Sequence, residues 1–132
     1  MVVYSKEFIQ GAFLSHGNPE VSIVRNGTEI GYRVRVRVCL RGKENFLLGM
    51  QRSLLQHEIE SKYKDEEHSA RRKPILTITK LSEVMKLINM LPLDLPTNAD
   101  WDTLSKTAFM VSQKQHLTAR GLDEILKMKG VL

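Results

Sequence analysis

The chain has 132 residues, 42% apolar and 27% charged, a balance that excludes wholesale disorder and leaves room for one hydrophobic core. No run approaches the roughly 18 apolar residues of a membrane span, no basic-then-apolar leader stands at the start, and the single Cys39 excludes an internal disulfide or a cysteine-based zinc site within one chain. A single intracellular domain over residues 1–132 with no membrane contact is expected, and the net charge of +5 points to a polyanionic partner if the cations gather on one surface.

Glu7 to Gly17 predicts a short helix. Phe8, Ile9, Ala12, Phe13 and Leu14 wrap most of its surface, so it is expected to be buried nearly all round. Gly11 and Ser15, one turn apart, form with Ala12 a very small face that lets a second helix backbone approach closely. That face is the expected seam of a homodimer.

Asn18 and Pro19 break the helix. Val21 to Arg25 predicts a strand, Asn26-Gly27 a turn, and Tyr32 to Leu40 a second strand with the clearest pattern in the chain. Period-2 alternation puts Val34, Val36, Val38 and Leu40 on one face and Arg33, Arg35, Arg37 and Cys39 on the other. The arginines form a ladder with a spacing of about 7 Å, the rise over two strand residues.

Glu44 to His57 carries a helical stripe at Phe46, Leu47, Met50, Leu54 and Leu55. Glu58 to about Glu67 reads as a strand with Ile59, Ser61 and Tyr63 on one face and Glu60, Lys62 and Lys64 on the other. A polar connector from Asp65 to Lys73 carries Arg71, Arg72 and Lys73. Pro74 to Lys80 is a β-branched strand with Leu76 and Ile78 inward and Ile75, Thr77 and Thr79 on the opposite face. Ser82 is the expected cap of a helix with the stripe Val84, Leu87, Ile88 and Leu91. Pro92 to Asn98 is a crossing loop. Asp100 is the expected cap of a helix bearing Trp101, Leu104, Ala108 and Val111. Thr118 caps the last helix, with Leu117 and Leu122 as a hydrophobic staple and Gly130 as the stop.

Hairpins alternating with helices favour an α+β layer, an antiparallel sheet covered by helices on one face. The uncovered face would carry Arg33, Arg35 and Arg37, joined by Arg25, Lys62, Lys64, Lys73, Thr77 and Thr79. Such a ribbon can enter the DNA major groove, where arginine contacts both guanine and phosphates. A merely solvated face would more often mix signs.

Three features make the chain resemble a single-motif member of the LAGLIDADG homing endonuclease family. They are the stretch Ile9-Gln10-Gly11-Ala12-Phe13-Leu14-Ser15-His16-Gly17, the order of elements after it, and the tail His116-Leu117-Thr118-Ala119-Arg120-Gly121-Leu122-Asp123-Glu124-Ile125-Leu126-Lys127. The resemblance implies an αββαββα fold with a saddle-shaped antiparallel sheet and two extra C-terminal helices. It implies motif helices paired in a homodimer, and double-stranded DNA on the concave face.

It also implies an acid just before the motif's last glycine, and usually a second acid two residues earlier, to hold Mg²⁺ at the scissile phosphates through hard anionic oxygens. In this sequence those places hold His16 and Leu14. Imidazole is a poor Mg²⁺ ligand and leucine is none. The lysine that relatives carry shortly after the Pro-Leu that follows the third main helix is also missing, since Pro92-Leu93 leads into Asp94, Leu95, Pro96 and Thr97.

The expected function is therefore nucleic-acid binding, foremost of DNA, with cleavage lost or impaired. The alternatives are an active endonuclease using His16 or Glu20 with Mg²⁺, or an RNA-binding component of the maturase or ribonucleoprotein kind. No metal cluster is expected from the histidine spacing.

Overall fold

The computed structural model describes residues 3–25, 32–65, 74–92 and 99–130. In chain order they form helix α1 (Lys6–His16), strands β1 (Asn18–Arg25) and β2 (Tyr32–Arg41), helix α2 (Glu44–Gln56), strands β3 (Lys62–Lys64) and β4 (Ile75–Ile78), and helices α3 (Leu81–Met90), α4 (Ala99–Ser112) and α5 (Ala119–Lys129). The strands make one antiparallel sheet in the order β1-β2-β4-β3. This is the expected α+β arrangement. Among the described residues no helix is long and apolar enough to cross a membrane. The Asn26-Gly27 turn, Arg71, Arg72, Lys73 and the stretch Leu93 to Asn98 lie outside the described residues.

The alternation in β2 is realised: Val34, Val36, Val38 and Leu40 are all buried. Val36, Val38 and Leu40 join Ile9 and Phe13 of α1, Leu47, Met50 and Leu54 of α2, Leu87 of α3 and the fully buried Trp101 of α4 in the main core. Val34 belongs instead to a smaller cluster with Met110, Leu122 and Ile125, which docks the C-terminal helices onto the outer half of the β1–β2 hairpin. Glu83, a buried acid on α3, accepts the Glu60 amide at 3.0 Å and the Lys86 ammonium at 3.1 Å. The amide bond first, then the Lys86 contact, hold its carboxyl below the usual range.

Several sequence expectations shift. The first strand starts at Asn18 rather than Val21. Pro19 is tolerated there because β1 is an edge strand and needs no donor on its outer side. The third strand shrinks to Lys62–Lys64, since Glu58 takes a left-handed turn (φ 61°) straight after α2. The fourth spans only Ile75–Ile78. Ser82 and Asp100 are not caps. The cap of α3 is Lys80, with no side-chain bond, and Asp100 sits inside the first turn of α4, where an acid suits the helix dipole. Leu55 and Leu117 stay exposed, so the staple across Thr118 is weak at best on its Leu117 side.

Helix α1 is buried on one face only. Ile9, Ala12 and Phe13 point into the core, while Phe8, Gly11 and Ser15 are exposed. Ala12 therefore belongs to the chain's own core and not to a free face. A Cβ placed on Gly11 would meet nothing within 4 Å, so its small size is not required by packing inside one chain. Gly17 differs: a Cβ there would collide with the Phe13 carbonyl, which the Gly17 amide bonds at 2.9 Å. That close approach lets the chain leave the helix directly into β1.

The tail stretch also has a physical reading. Thr118 accepts the Gly121 amide at 3.0 Å and donates to the Gln115 carbonyl at 2.8 Å, which locks the turn before α5. Gly121 lies so close to the Gln115 carbonyl that any side chain would clash. Leu122 and Ile125 then fall on the buried face, and Gly130 ends the helix in the left-handed region (φ 82°).

Candidate nucleic-acid interface

The register of the sheet decides which side chains share its outer face. Across β1 and β2 the outward pairs are Glu20 with Arg37 and Ser22 with Arg35, and the backbone of Val24 stands opposite Arg33. Further along, Asn18, Cys39, Thr77 and Lys62 stand in one row, and Arg41, Ile75 and Lys64 in the next. Arg33, Arg35, Arg41, Lys62 and Lys64 are exposed, and Arg37 is half-buried. Thr79, just past β4, is exposed too. The backbone of Arg25 ends β1, placing it at the far end of the same hairpin.

The alternation brings one more cation to this face than the sequence reading named. Arg41 continues the period-2 series beyond Cys39, and counting the parity two residues further would have found it. In the other direction, Thr77 is buried at 8% exposure and cannot present its hydroxyl as expected. Cys39 is buried beside it. Both lie on the two central strands, with Asn18 and Lys62 at the ends of their row, and Ile75 in the next row is buried too, so the middle of the face is closed there.

The face is not uniformly basic. Arg37 Nε donates to Glu20 Oε2 at 2.5 Å, and Glu20 Oε1 accepts from Asn18 Nδ2 at 2.9 Å. Glu20 is the one carboxylate on the four strands among their described residues. Neither Arg33 nor Arg35 has a carboxylate partner among the described residues. A cleft of about 610 Å³ opens beside them, lined also by Ser22, Thr79, Leu81 and Val111.

At the end of α1 stand Leu14, packed against the core, and exposed His16, the last residue of the helix. Imidazole at that place suits the helix dipole. The next acid along the chain, Glu20, has both oxygens engaged. Among the described residues no group of three or more His, Cys, Asp or Glu side chains gathers where a metal ion could be held. A hard cation such as Mg²⁺ needs anionic oxygens, and those present do not fit it.

No family model and no curated protein matches the sequence. Solved structures do. The homing endonuclease I-TnaI superposes with a TM-score of 0.81 over 96% of this chain and 86% of its own, at 18% identity. The archaeal intron-encoded homing endonuclease I-Vdi141I, complexed with DNA, gives 0.79 over 93% and 78%, at 20% identity. The LAGLIDADG meganuclease I-CpaMI, bound to uncleaved DNA, gives 0.76 over 96% of this chain but 43% of its own, at 19% identity. The chain has the LAGLIDADG homing-endonuclease fold.

Within the LAGLIDADG fold, then, α1 is the helix that carries the stretch Ile9 to His16, and β1 to β4 form the sheet. The expected catalytic residues are kept apart in role. His16 ends the helix, whereas Glu20 has become the counter-charge of an arginine. Gly11 and Ser15 share an exposed strip of α1, with Ser15 Oγ donating to the Gly11 carbonyl at 2.6 Å.

Proposed function

We propose that this single LAGLIDADG-like domain is a homodimeric DNA-binding protein that contacts its target through the outer face of β1 and β2 and does not cut it efficiently. The observation that carries the binding reading is the exposed pair Arg33 and Arg35, without carboxylate partners among the described residues, on the face that Arg37, Arg41, Lys62 and Lys64 also line. Cations spaced along a strand match the repeating phosphates of a duplex and release its counterions on contact. The DNA carried by two of the similar structures supports the same partner class.

The cleavage half of the reading rests on the end of α1. Leu14 and His16 offer no hard oxygen ligand, and using Glu20 would break its pair with Arg37. The homodimer rests on the exposed Gly11–Ser15 strip, open to a second helix at close range.

Salt-titrated fluorescence anisotropy on a DNA duplex and on a structured RNA tests the reading. Affinity for the duplex should fall steeply as salt rises, and Arg35→Ala should reduce the slope of log K against log salt by about one. Preference for the RNA would favour the maturase-like alternative. A salt-independent interaction, or a slope unmoved by Arg35→Ala, would sink the binding reading.

A further inference from the structure

Strand β2 has two edges, and they are used unequally. On one side β1 pairs with it from Tyr32 to Cys39. On the other side β4 pairs only with Val38 to Arg41, because β4 ends at Ile78 and the chain enters α3 at Leu81. Over Arg33 to Val36 this second edge has no strand beside it among the described residues. The cleft of about 610 Å³ follows that edge. Its lining includes Arg33, Val34, Arg35, Val36 and Arg37 in unbroken succession, although alternate residues of a strand point to opposite faces of the sheet. A hollow on one face would be lined by one parity only.

We propose that the open edge is a strand-addition site for an extended acidic segment of a partner protein, in which acidic and apolar residues alternate. Added there, the segment takes the place that β4 would hold if it ran on past Ile78. The reading goes beyond DNA binding and does not depend on it.

Backbone, apolar wall and charge all fit such an occupant. Alternate residues of a strand turn both N–H and C=O to the same side, so Arg33 to Val36 offer a hydrogen-bonding register along the cleft. On the inner face the segment's apolar side chains meet half-buried Leu81 and Val111, next to Val34 and Val36. On the outer face its acids lie beside Arg33 and Arg35, which are exposed and have no carboxylate partner among the described residues.

The same charges select against a second copy of this chain. Two β2 edges paired with their valines inward bring arginine beside arginine, and like charges across a strand pair are destabilising. Exposed edges are commonly guarded by charge; a guard of one sign repels its own kind and admits the opposite one. A bound segment neutralises Arg33 and Arg35 and so masks them from any other polyanion.

The probe is a fluorescein-labelled peptide of alternating glutamate and valine, about six residues long, the usual length of a strand. Anisotropy with the full chain should show binding. Two further peptides carry backbone N-methyl groups, one at every valine and the other at every glutamate. One of these two phases faces β2, so at least one peptide should bind about tenfold more weakly, the cost of one or two backbone hydrogen bonds. Arg33→Glu and Arg35→Glu, each checked by thermal unfolding, should each weaken the parent peptide about tenfold. Amide hydrogen exchange should slow within Arg33 to Val36 when the parent peptide is added.

The proposal is overturned if both methylated peptides bind like the parent, which would mean attraction by charge alone. It is equally overturned if the parent peptide does not bind the folded chain, if both charge reversals leave its affinity unmoved, or if no amide of Arg33 to Val36 gains protection. Protection that grows with protein concentration in the absence of peptide would put a second copy on the edge and also overturn it. The methylated pair needs no variant, so it decides the matter even where a substitution unfolds the chain.

Discussion

The outer face of β2 and the C-terminal end of α1 are built by neighbouring segments, yet they carry opposite chemistry. The β2 face keeps Arg33, Arg35, Arg37 and Arg41 at alternate positions, and the strand register joins them to Lys62 and Lys64. The end of α1 has Leu14 and His16 and no carboxylate of its own. Binding a polyanion tolerates this asymmetry because its attraction is summed over many cations. Metal-assisted cleavage does not, because it needs particular oxygen atoms at fixed positions. A charged sheet face can therefore attract a polyanion without a metal centre beside it, and the α1 helix has a separate job in packing.

The largest expected effect comes from erasing the charged side of the comparison. Replacing Arg33, Arg35 and Arg37 together by Ala should lower duplex affinity by about 100-fold at moderate salt. Thermal unfolding should stay near that of the wild type, since the inward valines carry the core. Unchanged affinity in anisotropy would show that the face is incidental.

A smaller effect separates the packing role of α1 from any chemistry. Gly11→Leu adds a side chain where one chain leaves open space, and it removes a helix-interior glycine that costs about 1 kcal/mol. The melting temperature should hold or rise, sedimentation velocity should report a monomer, and duplex affinity should fall about tenfold through lost bivalency. A dimer that survives Gly11→Leu would place the seam elsewhere.

The smallest effect lies away from both regions. His116, in the single turn before α5, has its Nδ1 buried without a partner among the described residues. Burial pushes its pKa below the usual 6.5, so the unfolded chain binds the proton more tightly than the folded one. The stability is fully present above about pH 6.5 and is lost as pH falls toward the lowered value. Thermal unfolding at pH 7.5 and 5.5 should show this loss, and His116→Gln should flatten it.

Much of the fold was legible because a few patterns are strict. The alternation from Tyr32 to Leu40 admits one register of valines inward and arginines outward, and Thr118 and Gly130 are strong start and stop signals that the structure uses. What stayed hidden depends on neighbours far away in sequence. Ser82 looked like a cap, but Lys80 precedes the helix and Ser82 bonds Glu83 instead. Cys39 and Thr77 looked exposed by parity, yet they stand opposite each other on the two central strands and both are buried. Ala12 looked like part of a small outer face until Ile9 and Phe13 fixed which side of α1 turns inward. The Glu20–Arg37 pair needed the register of Asn18 to Arg25, and reading the strand from Val21 left Glu20 outside it.

The most direct test of the account joins its two halves in one tube. The protein is incubated with a plasmid carrying the duplex it selects, in the presence of Mg²⁺ or Mn²⁺, and retention and strand breaks are scored together. The account predicts salt-sensitive retention of intact DNA. Efficient cleavage that disappears in His16→Ala or Glu20→Ala would contradict it.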